Sequence, residues 1–257
     1  MKKGDFLVTG SRSFSRFRPS FLGVKFCYNF RVRWVEKLWQ GCLRTLFPAR
    51  CALCGVIGLP AFCEDCRSEI APLDPAVRIL GDGNPLDVVV SCYPFEGRAA
   101  QAVKRLKYSR ATALAGPLAA EIRSAYERHS LDEFDLIVPV PVSARRLRDR
   151  GFNQSDLLSE NLPAEHLDKR CLRRIRHTRP QVGLTADQRL TNLKGAFTAS
   201  ASVRGKSILL VDDVVTSGGT GIACADALLA AGATKVGLLT FCGEAEPDAY
   251  RSGDSRP

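Results

Sequence analysis

The sequence has no long hydrophobic run and very little histidine. No window approaches the roughly 18 to 20 consecutive apolar residues that a membrane-spanning helix needs, and no secretory apolar core follows the basic start. The three histidines, His129, His166 and His177, form no Ser/His/Asp or Cys/His grouping by their spacing. We therefore predict a cytoplasmic protein without membrane insertion, whose chemistry does not depend on a histidine.

Acidic residues are scarce at the amino end. Residues 1–50 hold eleven Lys and Arg against Asp5 and Glu36 alone, so they carry +9 of the formal charge of +10. Because the rest of the chain is nearly neutral, the net charge by itself does not indicate a nucleic-acid-binding domain. The Arg- and Ser-rich segment 1–33 fits a disordered arm, a targeting presequence or upstream codons read from a mis-assigned start. We predict a basic, disordered and dispensable extension.

The remaining chain is long enough for one core and a small accessory module. Apolar residues at helical spacing predict an amphipathic helix over 34–47, which Pro48 ends. We predict this helix and a cysteine-rich module in 34–70, an α/β domain in 71–245 and a tail in 246–257.

Apolar runs alternate with helical patterns through the α/β domain. Helices are predicted over 98–129, with a break near Gly116 and Pro117, over 154–162 and over 217–233. Strands are predicted over 87–95, 134–142, 206–214 and 235–242. Helices between nearly all-apolar strands indicate a parallel sheet covered by helices on both faces. The segment from 154 to 172 is too short for a full helix and a strand, which predicts an irregular sheet edge there.

Four of the ten cysteines cluster as C-x2-C-x8-C-x2-C, at Cys51, Cys54, Cys63 and Cys66. Four thiolates can surround Zn²⁺ tetrahedrally, and a site with protein sulfur at every position is typical of a structural metal. A segment this short cannot form a core without a cross-link, so two disulfides are the alternative. We predict a structural zinc module, and we interpret the other cysteines as small buried hydrophobic residues.

The stretch from Ile208 to Thr220 places two carboxylates, Asp212 and Asp213, between an apolar strand and the turn Thr-Ser-Gly-Gly-Thr. Such a turn, from a parallel strand into a helix, gathers N–H groups and the positive end of the helix dipole, which favours a bound phosphate. It lacks the Lys of a Walker A loop and the G-x-G-x-x-G order of a dinucleotide fold. With a phosphorylated sugar as ligand, the carboxylates would accept hydrogen bonds from vicinal hydroxyls and could hold Mg²⁺. The alternative is a plain strand-turn-helix with surface acids.

Four arginines follow the strand predicted over 134–142: Arg145, Arg146, Arg148 and Arg150. Ligands of open α/β sheets bind at the carboxyl ends of strands, and guanidinium groups match phosphate oxygens, so these side chains are candidates for holding pyrophosphate. The alternatives are a solvated start of a basic helix and a nucleic-acid patch. Asn153 and Gln154 are polar and lie near the same strand end, with helix capping as the alternative role of Asn153.

The stretch from Ile208 to Thr220 resembles the phosphoribosyl pyrophosphate signature of the type I phosphoribosyltransferases. The stretches 93–108, 138–158 and 174–197, together with the cysteine module, resemble the ComF or GntX branch of that group, and the resemblance covers about residues 42–242. It implies a type I phosphoribosyltransferase-like fold that binds phosphoribosyl pyrophosphate with Mg²⁺.

The resemblance also implies roles for individual residues. Asp212 and Asp213 would act at the reacting sugar, and a mobile hood would cover the site. The residues implied to bind phosphoribosyl pyrophosphate are Thr216, Ser217, Gly218, Gly219, Thr220, Arg145, Arg146 and Arg150. The hood residues are Arg176, Thr178, Arg179 and Gln181.

Two functions follow from the resemblance and stay open. The family is associated with natural competence, meaning DNA uptake, which implies a phosphoribosyltransferase in that process with an unnamed acceptor. The alternative is a non-catalytic sensor of phosphoribosyl pyrophosphate or a nucleotide that contacts single-stranded DNA through its zinc module and arginines. The implied partners are phosphoribosyl pyrophosphate, single-stranded DNA and proteins of the competence machinery. The intact donor signature favours the enzyme, whereas the lack of an evident acceptor pocket in the sequence favours the sensor.

Overall fold

The computed structural model of the chain describes residues 49–73, 76–80, 83–176 and 192–244. The basic extension, the amphipathic helix of 34–47 and the tail lie outside the described residues, so their structures stay predictions. All described residues belong to one compact unit, which begins at Ala49. Within these residues, no helix is long and apolar enough to cross a membrane.

The described strands are β1 Val77–Ile79, β2 Val88–Pro94, β3 Leu136–Pro139, β4 Leu172–Arg174, β5 Phe197–Ala199, β6 Ser207–Val215 and β7 Lys235–Gly243. Five of them form one sheet in the order β1-β2-β7-β6-β3, in which β2, β7, β6 and β3 run parallel, as the sequence predicts, and β1 adds an antiparallel edge. Strands β4 and β5 form a separate antiparallel pair.

The described helices are α1 Glu64–Ser68, α2 Gly97–Tyr108, α3 Ala115–Arg128, α4 Ala144–Arg150, α5 Gln154–Leu158 and α6 Gly219–Ala230. The break predicted near Gly116 and Pro117 lies earlier, between the end of α2 and a 3₁₀ turn at Thr112–Leu114. Both residues belong to the first turn of α3. A proline is tolerated there because N–H groups of the first turn have no intrahelical partner.

The sheet is covered on both faces, which confirms the predicted layers. Along β6, Leu209 and Val211 pack with α2, α3 and α5 on one face. Ile208 and Leu210 pack with α6 and with the β4–β5 pair on the other face. Because successive side chains of a strand point to opposite faces, burial on both sides requires the near-continuous apolar runs seen in the sequence.

The sheet edge beside β3 is irregular, as predicted. Helix α5 ends at Leu158, four residues before its predicted end, and the chain returns to β3 only through an isolated parallel bridge between Ile137 and Leu167. The amide of Ile137 donates to the carbonyl of His166, and the amide of Asp168 donates to the carbonyl of Ile137. Among the described residues, β3 is therefore the last strand of the sheet on this side, and β6 lies next to it.

Gly237 in β7 shows how tightly the core packs on the face of the sheet that contacts α2, α3 and α5. A Cβ atom at this position would lie 2.6 Å from Cζ of Phe134 and 3.0 Å from Cγ1 of Val88, and Phe134 is fully buried. We expect Gly237→Ala to lower the free energy of unfolding by about 1–3 kcal/mol, because the ring cannot move without displacing its neighbours. Urea unfolding followed by circular dichroism measures the change.

Gly116→Ala is the matched control. No heavy atom lies within 4 Å of the Cβ position of Gly116, which is helical, so this change should stabilise the protein by about 0.5–1 kcal/mol. Equal effects of the two substitutions would contradict the packing around Phe134 described above.

Candidate functional site

The turn between β6 and α6 has the geometry of an anion site. Gly218 has φ +74° and precedes the first residue of α6, a backbone conformation that glycine adopts without strain. The first amides of α6 have no intrahelical acceptors, and the positive end of the helix dipole lies at the same point. Of the five predicted loop residues, Thr220 lines the adjacent cavity, Thr216 is partly buried, and Ser217, Gly218 and Gly219 are buried.

A cavity of ≈ 960 Å³ opens at the carboxyl ends of β3 and β6. Among the described residues, seven basic and three acidic side chains line it, so its lining is strongly positive although most of the domain is nearly neutral. The basic residues are Lys107, Arg110, Arg145, Arg146, Arg148, Arg150 and Arg174, and the acidic ones are Asp149, Asp212 and Asp213. Such a lining matches a ligand with several negative charges.

The two aspartates of β6 both line this cavity and have different partners. Asp212 Oδ1 accepts hydrogen bonds from the Ser155 hydroxyl at 2.9 Å and from the Asp213 amide at 2.8 Å. Asp213, which is 5% exposed, forms an ion pair with Lys107 at 2.8 Å between Oδ1 and Nζ. Burial, and then repulsion from the Asp213 carboxylate, raise the pKa of Asp212 to about 7.

Lys107 lies in the last turn of α2 and lines the cavity beside Asp213. Burial lowers the pKa of Lys107, but the nearby carboxylates of Asp213 and Asp212 outweigh it, so its pKa is raised. The lysine is therefore charged, and it balances one of the two acids. Within the described residues the crevice beside the acids is open, and both aspartates line it.

The arginines after β3 lie on helix α4, which the sequence analysis did not assign. Its first turn is capped by Ser143, whose hydroxyl accepts from the amide of Arg146 at 3.3 Å, and Gly151 with φ +85° ends it. All four predicted arginines line the cavity with the aspartates, as expected for residues at the carboxyl end of a strand. The guanidinium of Arg150 lies 5.3 Å from the ring centroid of Tyr108, and burial, then Arg146, lower its pKa.

The cavity residues that escaped the sequence analysis include Lys107, Tyr108, Arg110, Ser155 and Arg174. Arg110 has φ +51°, which is rare for a residue with a side chain, and its guanidinium donates to the carbonyl of Asp149 at 2.8 Å. It thereby links the turn after α2 to the end of α4 across the cavity. The sequence signal for these residues was the run Lys-Tyr-Ser-Arg at the end of an amphipathic helix. No local pattern, however, indicates that this run lies near β6.

The predicted hood residues are only partly described. The guanidinium of Arg176 donates to the carbonyls of Asn192 at 3.2 Å and Lys194 at 2.8 Å, and it does not line the cavity. Thr178, Arg179 and Gln181 lie outside the described residues, so a hood role for all four residues stays a prediction.

Asn153 caps helix α5, which is the alternative role that the sequence analysis gave for this residue. Its Oδ1 accepts from the amide of Ser155 at 3.3 Å, and its Nδ2 donates to the carbonyl of Val140 at 3.1 Å. These bonds fix α5 against the end of β3 and so place Ser155 beside Asp212. Neither described histidine, His129 or His166, lines the cavity.

The four cysteines of the module converge on one point. Their Sγ atoms all lie within 4.8 Å of one another, with 3.8 Å between Cys51 and Cys66 and 3.7 Å between Cys54 and Cys63. These distances exclude disulfides, whose sulfurs are about 2.05 Å apart. Gly55 has φ +81° in the first Cys-x2-Cys turn, and α1 presents Cys66. The cluster can therefore hold a metal ion.

The cysteine module packs against α2, the helix that carries Lys107. Leu53 and Phe62 belong to the same buried cluster as Leu106. Arg105 donates to the carbonyl of Ala52. Arg98 of α2 forms an ion pair with Glu69 of the module at 2.7 Å, and Arg67 of the module forms a second ion pair with Glu121 of α3. The module thus supports the helix whose last turn reaches Asp213.

Lys107→Met should expose the repulsion between the two acids. The ion pair is largely shielded, with side-chain exposures of 22% for Lys107 and 7% for Asp213, so we expect the free energy of unfolding at pH 8 to fall by about 2 kcal/mol. Without the lysine, burial and repulsion from Asp213 raise the pKa of Asp212 further above about 7, so the folded variant favours its protonated carboxyl. The deficit is therefore larger at pH 8 than at lower pH and shrinks as the pH falls through about 7, because protonation of Asp212 removes the repulsion.

Urea unfolding at pH 8, 6 and 4.5 measures this deficit. Lys104→Met on the exposed side of α2 is the control, because Lys104 contacts only the ring of Phe95, at 5.7 Å from its centroid. A Lys107 deficit that is independent of pH, or no larger than that of Lys104→Met, would argue against the charge balance.

Comparison with known proteins agrees with this geometry. Residues 118–252 match the phosphoribosyl transferase domain. The DNA utilization protein YhgH of Salmonella typhimurium is 37% identical over 202 residues, which cover 75% of this chain and 85% of that protein. Competence protein F of Haemophilus influenzae is 31% identical over 196 residues, covering 71% and 80%. Competence protein ComFC of Bacillus subtilis is 26% identical over 191 residues, covering 72% and 75%.

Among solved structures, the allosteric regulatory enzyme of purine biosynthesis aligns with a TM-score of 0.36 at 20% identity, over 54% of this chain and 30% of that chain. This likeness is too low to support an argument. The domain match and the identity to YhgH are sufficient to assign the chain to a family, and they confirm the resemblance found in the sequence. The chain belongs to the ComF family of phosphoribosyltransferase-like proteins.

Proposed function

We propose that the cavity binds phosphoribosyl pyrophosphate with Mg²⁺ and that the chain is a phosphoribosyltransferase that acts in DNA uptake. The observation that carries this proposal is one cavity lined by the acid pair, by the basic helix α4 and by Thr220 of the turn between β6 and α6. A phosphorylated sugar that also carries pyrophosphate has chemical groups for all three. The proposed role in DNA uptake comes from the relatives, two of which are competence proteins by name.

Each part of the proposed ligand matches a different group of residues around the cavity. The 5-phosphate would bind at the turn 216–220, where helix amides and hydroxyls converge. The ribose diol would donate hydrogen bonds to Asp212 and Asp213. The pyrophosphate would then face α4, whose Arg146 and Arg150 provide guanidinium groups suited to phosphate oxygens.

The acid pair also fits Mg²⁺, which prefers carboxylates together with substrate phosphate oxygens. When bound, the ion would neutralise charge on the departing pyrophosphate. Lys107 adds a second source of positive charge, because its Nζ already lies 2.8 Å from Asp213 and faces the same cavity. Once ligand groups engage Asp213, the ammonium can turn to the pyrophosphate oxygens. The residues on the two walls thus hold the sugar and the leaving group in a fixed orientation.

We also propose that the cysteine cluster holds one structural Zn²⁺. A tetrahedron with Zn–S bonds of about 2.3 Å has sulfurs about 3.8 Å apart, close to the two measured separations of 3.7 and 3.8 Å. The amide of Leu53 donates to Cys51 Sγ at 3.4 Å, a hydrogen bond that stabilises a thiolate ligand. Since protein sulfur fills all four positions, the ion supports the module and has no open position for a substrate.

Calorimetry of the full chain with phosphoribosyl pyrophosphate and Mg²⁺ tests the ligand site. We expect the wild type to bind, and the variant Asp212→Asn with Asp213→Asn to bind at least about tenfold more weakly, because the diol loses two charged acceptors. Asp226→Asn is the control, since it makes the same change at an exposed position of α6 away from the cavity. Unchanged affinity in the double variant would exclude the diol assignment.

Release of pyrophosphate, assayed with nucleobases and amines as acceptors, then separates the enzyme from a sensor. Turnover that depends on an acceptor supports transfer. Tight binding with no pyrophosphate release across these acceptors would favour the non-catalytic sensor.

Metal analysis of the purified protein should find one Zn²⁺ per chain. Cys63→Ser should lose the ion and lower the thermal midpoint, because the module has too few apolar residues to hold its fold alone. Cys92→Ser, at a partly buried cysteine outside the cluster, should keep the zinc content. A zinc-free wild type, or a Cys63 variant with full zinc, contradicts the assignment.

A further inference from the structure

Gln154 is an unusual residue of the cavity wall. It begins α5, is 2% exposed and lines the cavity. Within the part of the chain that the structure describes, its Oε1 has no hydrogen-bond partner. The polar residues on either side are engaged, because Asn153 caps α5 and the Ser155 hydroxyl donates to Asp212. The unpaired oxygen is therefore specific to position 154.

An amide oxygen removed from water without a donor destabilises the folded state. A methionine of similar length would fill the same space without that penalty. The penalty is offset if a ligand in the cavity supplies the missing donor. The terminal torsion of a glutamine is soft, so the amide can turn its oxygen to the cavity without any change in α5.

The position of Gln154 indicates which ligand group supplies the donor. The next residue, Ser155, holds Asp212 at 2.9 Å, so Gln154 lies on the wall that carries the acid pair. Pyrophosphate oxygens are acceptors and do not match an amide oxygen. Sugar hydroxyls are donors, and in the proposed binding mode they lie at this wall.

We propose that Gln154 accepts a hydrogen bond from a ribose hydroxyl of the bound phosphoribosyl ligand, as a third sugar acceptor beside Asp212 and Asp213. This inference rests on the proposed function. It makes Gln154 a residue that selects a hydroxylated pentose, because without that hydroxyl its oxygen stays buried and unpaired.

Gln154→Met in the full chain tests the inference through two measurements, because the affinity should fall whereas the thermal midpoint should not. Calorimetry with phosphoribosyl pyrophosphate and Mg²⁺ should show affinity about tenfold lower than wild type. The thermal midpoint without ligand should be unchanged or about 2–5 °C higher, because an unpaired polar group is removed from the interior. Gln101→Met is the control, since its Oε1 accepts from Arg98 at 3.2 Å away from the cavity, and it should leave affinity unchanged.

The outcomes separate this inference from the function on which it rests. Wild-type affinity in Gln154→Met overturns the hydroxyl contact while leaving the proposed function in place. A midpoint several degrees below wild type also overturns it, because the amide would then be a satisfied structural group. Failure of the wild type itself to bind the ligand overturns the proposed function, and this inference falls with it.

Discussion

The ion pair between Lys107 and Asp213 is the interaction on which the site depends. Two consecutive aspartates lie near the end of a buried strand, and burial together with repulsion from Asp213 raises the pKa of Asp212. One lysine, largely shielded from solvent, balances one of them, and the hydroxyl of Ser155 stabilises the other. The strand can therefore present two oxygen-rich groups to the cavity without an uncompensated pair of buried charges.

That balance depends on elements distant in the chain. Lys107 is held by α2, and α2 is held between the sheet and the cysteine module through packing around Leu106 and the bond from Arg105 to Ala52. Ser155 is held by α5, which Asn153 fixes to the end of β3. A small module that contributes no side chain to the cavity thus supports the helix that delivers the cation. This gives the module a physical reason to be joined to a domain of this kind.

The cavity has more positive charge than its acids can neutralise. Arginines of α4 crowd one wall, and proximity to Arg146 contributes to the lowered pKa of Arg150 and Arg174 after burial. Like charges held together in this way are relieved by a polyanion. The unpaired oxygen of Gln154 is a further group whose requirements a ligand can meet. Charge and hydrogen bonding therefore both point to a ligand that is strongly anionic and hydroxylated.

The sequence by itself determined the features that local spacing encodes. Two Cys-x2-Cys pairs specify a four-sulfur cluster, and an apolar strand followed by Asp-Asp and a glycine-rich turn specifies β6, its turn and the start of α6. The apolar runs predicted the four parallel strands, since a strand buried on both faces needs them. Helix α4 was missed because seven residues, four of them arginine, show no apolar periodicity. The break before α3 was placed too late because proline is tolerated in a first turn.

Only the tertiary structure decided which distant residues share the cavity. The packing of α2 and of the β4–β5 pair places Lys107, Arg110 and Arg174 in the same cavity as the aspartates, and no local pattern indicates this placement. The unpaired oxygen of Gln154 is likewise invisible in the sequence, because a missing partner is a property of the whole surroundings. Local patterns record neighbours along the chain, whereas the partners of a charge or an amide are set by how buried surfaces fit together.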